Sequence, residues 1–300
     1  MDKEILGSYI KAGKVAAQVR KEGLKKLAIP DTSFLEVMDY CEKRIIELKG
    51  QIAWAQLAVN EVAAHYCPEE DDTSVSKEGQ LIKIDVGVHI NGYIADTAAT
   101  VEVGSSKQYK DYITAAQNAL KAAMKLARPG TPLYQLGEAQ ISEAEALGFT
   151  TVKNLSGHTL NQYKVHGGTS IPAYNNKDKR ELQDNEVIAI EPFVTNGTGL
   201  IKERNPATIF MVEQLRSSRS LYGKKILESV KSQNGLPFTT RWLTRTLGKT
   251  PTLLGLKQLQ QERIIQAYPP LVEVSKGMVA QFENSMIVKD TPIVYTKEED

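Results

Sequence analysis

The stretch KIDVGVHINGYIADTAATV, residues 83–101, decides how this chain is read. Two aspartates, Asp85 and Asp96, stand in an otherwise apolar, β-branched run. Burying a carboxylate is costly, so each needs a cation, an ion-pair partner or water. Asn91-Gly92 is a strong two-residue hairpin signal, because a type I′ turn requires positive φ at both central positions. Pairing outward from that turn sets Gly87 opposite Asp96 and puts Asp85 two residues further along on the same face. The carboxylates are then diagonal neighbours within reach of one ion. Two like charges that close repel and raise a pKa unless a cation lies between them. His89, near the hairpin tip, reads as a surface residue.

The frame around the hairpin is an α+β chain. Ala12, Ala16, Val19, Gly23 and Leu27 recur at helical spacing until Pro30 intervenes. A second helix is expected from Ser33 to about Leu48, ending near Gly50. Strands are expected around 57–66 and 81–101, helices at about 110–127 and 133–147, and strands again at 188–193 and 279–288.

An internal repeat organises these elements. AAQVRKEGLKKLAIPDT (16–32) and AAQNALKAAMKLARPGT (115–131) agree at eight of seventeen positions without a gap. Downstream, EGQLIKID resembles DNEVIAIE, aligning Asp85 with Glu191, and IADTAATV resembles QFENSMIV, aligning Asp96 with Glu283. The second half carries an insertion of about 81 residues between Phe193 and Gly277. It is expected to be helical from about Thr252 to Ala267. From Gln214 to Arg263 it holds ten Lys/Arg against two Glu, and a solvated helical surface is the plainer reading of that charge. If the halves fold alike about a pseudo-twofold axis, four carboxylates converge. With a histidine, for which LSGH at 155–158 offers His158, they suit two divalent cations in a dinuclear site. Oxygen and imidazole ligands favour Mn, Fe, Co or Zn over Mg or Ca. A lone histidine such as His65 is otherwise more often structural.

Composition excludes other classes. A net charge of +1 rules out polyanion binding by bulk electrostatics. Two cysteines, Cys41 and Cys67, in no metal-like spacing fit a reducing compartment. No secretory signal and no run of 18 apolar residues is visible, so a cytoplasmic location without membrane contact is expected.

KIDVGVHINGYIADTA, NEVAAHY, NLSGHTLNQYKVHGG, AIEPF and VAQFE resemble the methionine aminopeptidases of type II, in their short archaeal form. The resemblance covers nearly the whole chain, and the insertion with NGLPF, RWL and YPPL is its type II mark. It implies the pita-bread fold, a single catalytic domain over 1–300: a first half to about 105, a second half of 106–208 and 272–300, and a helical insertion of about 209–271. It implies Asp85, Asp96, His158, Glu191 and Glu283 as ligands of two divalent ions, with Asp96 and Glu283 bridging. His65 and His166 are implied beside the scissile bond, Glu191 as proton shuttle, and Tyr268 near the methionine pocket. The implied activity is removal of the initiator methionine from nascent chains with a small second residue, by attack of a metal-bridging hydroxide. The implied enzyme is a monomer, and its basic insertion could contact the ribosome. An X-Pro peptidase of the same fold, or a ribosome-associated pita-bread protein without catalysis, is the alternative. Ala53-Trp54 stands where the family usually has Phe-Pro, Ala58 where it has serine, and Asn284 where histidine is common; MVEQLRSS (211–218) also departs. These positions bear on pocket shape more than on the chemistry.

Overall fold

The hairpin forms as the turn signal requires. In the computed structural model, which describes residues 1–297, strand β3 (Leu81–Ile90) pairs with β4 (Tyr93–Glu102) with Gly87 opposite Asp96 and Asp85 opposite Ala98. Asn91 (φ 54°) and Gly92 (φ 84°) occupy the left-handed region that the type I′ turn demands. Preceding them, helices α1 (Lys3–Leu27) and α2 (Phe34–Glu47) pack on a sheet of order β1-β3-β4, where β1 is Gln51–Val59. Asp2 and Ser33 cap the two helices by accepting from the N–H groups of Glu4 and Glu36. The positions spaced along α1 (Ala12, Ala16, Val19, Gly23 and Leu27) all face the core.

The second half repeats the helix pair. Helices α3 (Lys110–Leu126) and α4 (Leu133–Glu145) cover a five-stranded sheet. Its strands are β6 (Ser156–Thr159), β7 (Ser170–Pro172), β8 (Val187–Ile190), β16 (Asn284–Ile287) and β17 (Ile293–Val294). The order is β17-β16-β8-β6-β7. A smaller sheet joins β5 (Thr150–Thr151), β9 (Phe193–Thr195) and β15 (Val279–Gln281). Between β9 and β15 the chain leaves through β10 (Ile201–Glu203), β11 (Ile209–Val212), α5 (Leu221–Ser229), β12 (Phe238–Thr239), α6 (Thr240–Leu247), α7 (Lys249–Gln261) and β13 (Ile265–Tyr268). It returns through β14 (Leu271–Glu273), which pairs with β10 on one side and with β2 (Val62–Ala64) on the other. The outgoing segment has its own core, built on Phe210, Ile226, Phe238, Leu243 and Leu259.

The halves meet along a polar seam. Thr97 and Thr100 of β4 donate their hydroxyls to the carbonyls of Glu283 (2.9 Å) and Gln281 (2.6 Å). Ser285 accepts the N–H of Asp96 (3.0 Å) and donates to its carbonyl (2.8 Å). These hydroxyls satisfy strand groups that no ladder reaches, and they hold Asp96 and Glu283 side by side.

Three expectations are corrected. The helix expected from Thr252 to Ala267 runs from Lys249 to Gln261 and then gives way to β13, because Arg263 takes positive φ (55°) and Ile265–Tyr268 pairs with β11. The strand expected over 57–66 begins earlier, at Gln51, and breaks at Asn60 (φ 53°) before β2. His89 is buried: the loop after β6 closes over the hairpin tip, with Tyr163 donating its N–H to the Gly92 carbonyl (2.8 Å) and its ring against His89.

Candidate functional site: a carboxylate-lined cavity between the halves

The eight residues that the resemblance implies for the site line one cavity of about 150 Å³: His65, Asp85, Asp96, His158, His166, Glu191, Tyr268 and Glu283. Asp85 and Asp96 project from one face of the hairpin, as strand parity sets them. Glu191 follows the last residue of β8 and Glu283 precedes the first of β16. Because Asn284 pairs with Ile190, the next step outward brings these two glutamates beside each other. His158 comes from β6, hydrogen-bonded to β8. Its Nε2 lies 3.6 Å from Asp96 Oδ2 and 3.7 Å from Glu191 Oε1.

Four carboxyls in one buried place press on one another. Burial first, then the charge of Asp85, holds the Asp96 carboxyl well above the ordinary carboxylate range. Burial and the charges of Asp96 and Asp85 do the same to Glu191, and burial with all three neighbours does so to Glu283. Burial pushes Asp85 up to about 6, against hydrogen bonds from Trp54 and Gln56 that favour its ionised form. Among the described residues, no Lys or Arg lines the cavity. Asp96 Oδ1 and both oxygens of Glu283 are buried without a hydrogen-bond partner, a cost that a structure tolerates where something else meets the charge. Burial, then His166, lowers the His158 imidazole to about 3, so it is neutral, the form that ligates metal. Acid oxygens and a neutral imidazole converging from opposite halves form a donor set that fits divalent cations; Asp96, His158 and Glu283 can each offer an atom to a single ion.

Above these acids stand the other histidines and an apolar wall. His65 adopts positive φ (64°), rare outside glycine, which turns its ring edge-on to Tyr268 at 5.6 Å. Burial lowers its pKa to about 4, with a hydrogen bond to the Pro269 backbone carbonyl working the other way. His166 sits at the mouth, its ring 4.8 Å from that of His158. Leu155, Val165, Phe193, Ile209, Met211 and Leu271 complete the apolar side.

Sequence reasoning did not assign the donors that orient the acids. Gln281 Nε2 donates to Glu191 Oε2 (3.2 Å), and Trp54 Nε1 and Gln56 Nε2 donate to the two oxygens of Asp85 (2.7 Å each). Trp54 was visible as a departure from the family pattern; its direction was not, because a β-bulge sets it.

Comparison with known proteins gives the chain's family and fold. The sequence profile of metallopeptidase family M24 matches residues 8–290. A methionine aminopeptidase of Thermococcus onnurineus is 44% identical over 285 residues, covering 94% of this chain and 96% of that protein. In three dimensions the chain superposes on a thermophilic Arx1 with a TM-score of 0.87 at 14% identity, over 100% of this chain and 92% of the other. It superposes on the Thermotoga maritima methionine aminopeptidase with a TM-score of 0.73 at 20% identity, over 99% and 98%. At such identities the two structures speak for the fold alone.

Proposed function

Because this chain belongs to metallopeptidase family M24, among its methionine aminopeptidases, we propose that it is a cytoplasmic, monomeric exopeptidase that removes the initiator methionine from nascent chains with a small second residue. On this reading residues 1–300 form one catalytic domain, with the first half ending near 105, the second half comprising 106–208 and 272–300, and the insertion 209–271.

The observation that carries the proposal is the set of four buried, mutually repelling carboxylates in a cavity that no Lys or Arg among the described residues lines. Two divalent ions, when bound, supply an activated water and polarise the scissile carbonyl. Asp96 and Glu283, held together at the seam, are suited to be shared by both ions. Asp85 would hold one of them, and His158 and Glu191 the other. Glu191, kept in place by Gln281, carries the proton toward the leaving amine. His65 and His166 flank the scissile bond and donate to developing negative charge on the carbonyl oxygen. The apolar wall around Tyr268 suits an unbranched methionine side chain.

The insertion remains the surface for any ribosome contact. Three of its cations are engaged elsewhere, since Arg241, Arg245 and Lys249 pair with acids of the first half.

A peptide panel tests the proposal. Met-Ala and Met-Gly peptides are cleaved, X-Pro peptides are not, and excess chelator abolishes the reaction until Mn²⁺ or Co²⁺ is restored. Full activity in chelator, or preference for X-Pro bonds, sinks it.

A further inference from the structure

Strand β1 contains one extra residue where it passes the acids. Ile52 pairs with Val88, but Trp54 pairs with Gly87 and Gln56 with Asp85, so the bulge falls at Ala53. Side chains alternate along a strand, and a one-residue slip exchanges the faces. Without the bulge, Ala53 and Ala55 would look into the cavity; with it, Trp54 and Gln56 do. The strand opposite is shaped to match. A Cβ on Gly87 would lie 2.3 Å from the Trp54 indole, so only glycine leaves room for the ring. Trp54 is buried, its Nε1–H donates to Asp85 Oδ1 at 2.7 Å, and Gln56 Nε2–H donates to Asp85 Oδ2 at 2.7 Å. Bulges recur beside active sites because they re-aim a side chain.

We propose that Trp54 is a positioning residue for metal binding: with Gln56 it clamps the Asp85 carboxylate in one orientation and so sets the affinity of the ion that Asp85 ligates. This rests on Asp85 being a metal ligand. Each carboxylate oxygen has two lone pairs. The two N–H donors occupy one on each, leaving the other pair aimed into the cavity. The clamp removes the rotational freedom that Asp85 would otherwise lose on meeting the ion. Donors behind a ligand of this kind are worth roughly 10–100-fold in metal affinity.

The test is Mn²⁺ titration of the chelator-stripped full chain by calorimetry, comparing the parent with Trp54→Phe and Gln56→Met. Phe keeps the aromatic wall and removes the N–H. Both variants are expected to bind Mn²⁺ roughly 10–100-fold more weakly. Fluorescence adds a signature that mere structural support does not move. The chain has two tryptophans, and Trp242 sits in the insertion, bonded to Glu42. Paramagnetic Mn²⁺ therefore quenches the parent through Trp54, and in Gln56→Met, which keeps that fluorophore, half-quenching is expected to need roughly 10–100-fold more Mn²⁺. Parental Mn²⁺ affinity in both variants overturns the clamp and leaves the metal reading intact. A parent that binds no Mn²⁺ overturns both. If Trp54→Phe fails to fold by circular dichroism, the Gln56→Met affinity decides alone.

Discussion

His65 combines two costs in one residue. Its backbone is held at positive φ, worth about 1–3 kcal/mol of strain for a non-glycine residue, and its Nδ1 is buried without a partner. A side chain needed only for packing would gain nothing from either. With Tyr268 against its ring, the imidazole lines the same cavity as the acid cluster, where the proposed function puts the scissile bond. Replacement by alanine is expected to lower kcat roughly 10²–10³-fold, the cost of losing one oxyanion donor. Bound Mn²⁺ is expected to be unchanged, because His65 is outside the proposed ligand set. Steady-state kinetics alongside metal analysis separate the two; loss of metal would place His65 among the ligands instead.

At the level of elements, the return of the insertion to the body depends on Glu273, at the end of β14. Its carboxylate is buried and accepts the N–H groups of Thr198, Ser275 and Gly277 and the hydroxyls of Thr198 and Ser275. Burial opposes ionisation, but the donors from Thr198, Gly277 and Ser275 outweigh it and lower the pKa from 4.5 to about 2. The unfolded chain therefore takes up this proton first as pH falls. The stabilisation is complete above about pH 4.5, declines below it, and is gone once pH passes about 2. It amounts to on the order of 3 kcal/mol at neutral pH. Urea unfolding of Glu273→Gln should show lower stability at pH 7 and a shallower loss toward pH 3 than the parent. Parallel pH profiles for the two proteins would refute the assignment.

Across the whole molecule, the insertion is bound to the first half by a buried ion cluster. Arg241 is fully buried and donates to Glu42 (2.7 and 3.1 Å), to Asp39 and to the Pro68 carbonyl. Burial outweighs this pairing at Glu42 and leaves its carboxyl above the ordinary range. The pair is thus a poor source of net stability but a severe loss when broken. Arg241→Leu strands a buried carboxylate and is expected to cost about 3–5 kcal/mol, read as a lower denaturation midpoint. Replacing Glu42 with leucine in the same chain should restore part of it. The cluster also reduces the cationic surface that the insertion's composition suggested, because Arg241, Arg245 and Lys249 face acids of α2 and of the loop after β2.

Local rules carried the sequence a long way. A type I′ turn and strand alternation are short-range facts, so Asn91-Gly92 alone determined that Asp85 and Asp96 share a face. The repeat aligned acid with acid, which marked Glu191 and Glu283 before any coordinates did. Tertiary structure alone decided the rest. The bulge at Ala53, the exchange of hydroxyl bonds across the seam, the burial of His89 under Tyr163 and the docking of Arg241 on Glu42 join residues up to about 200 positions apart. Periodicity reports which side of an element is apolar. It does not report which other element meets that side, since the meeting depends on packing and desolvation summed over the folded chain.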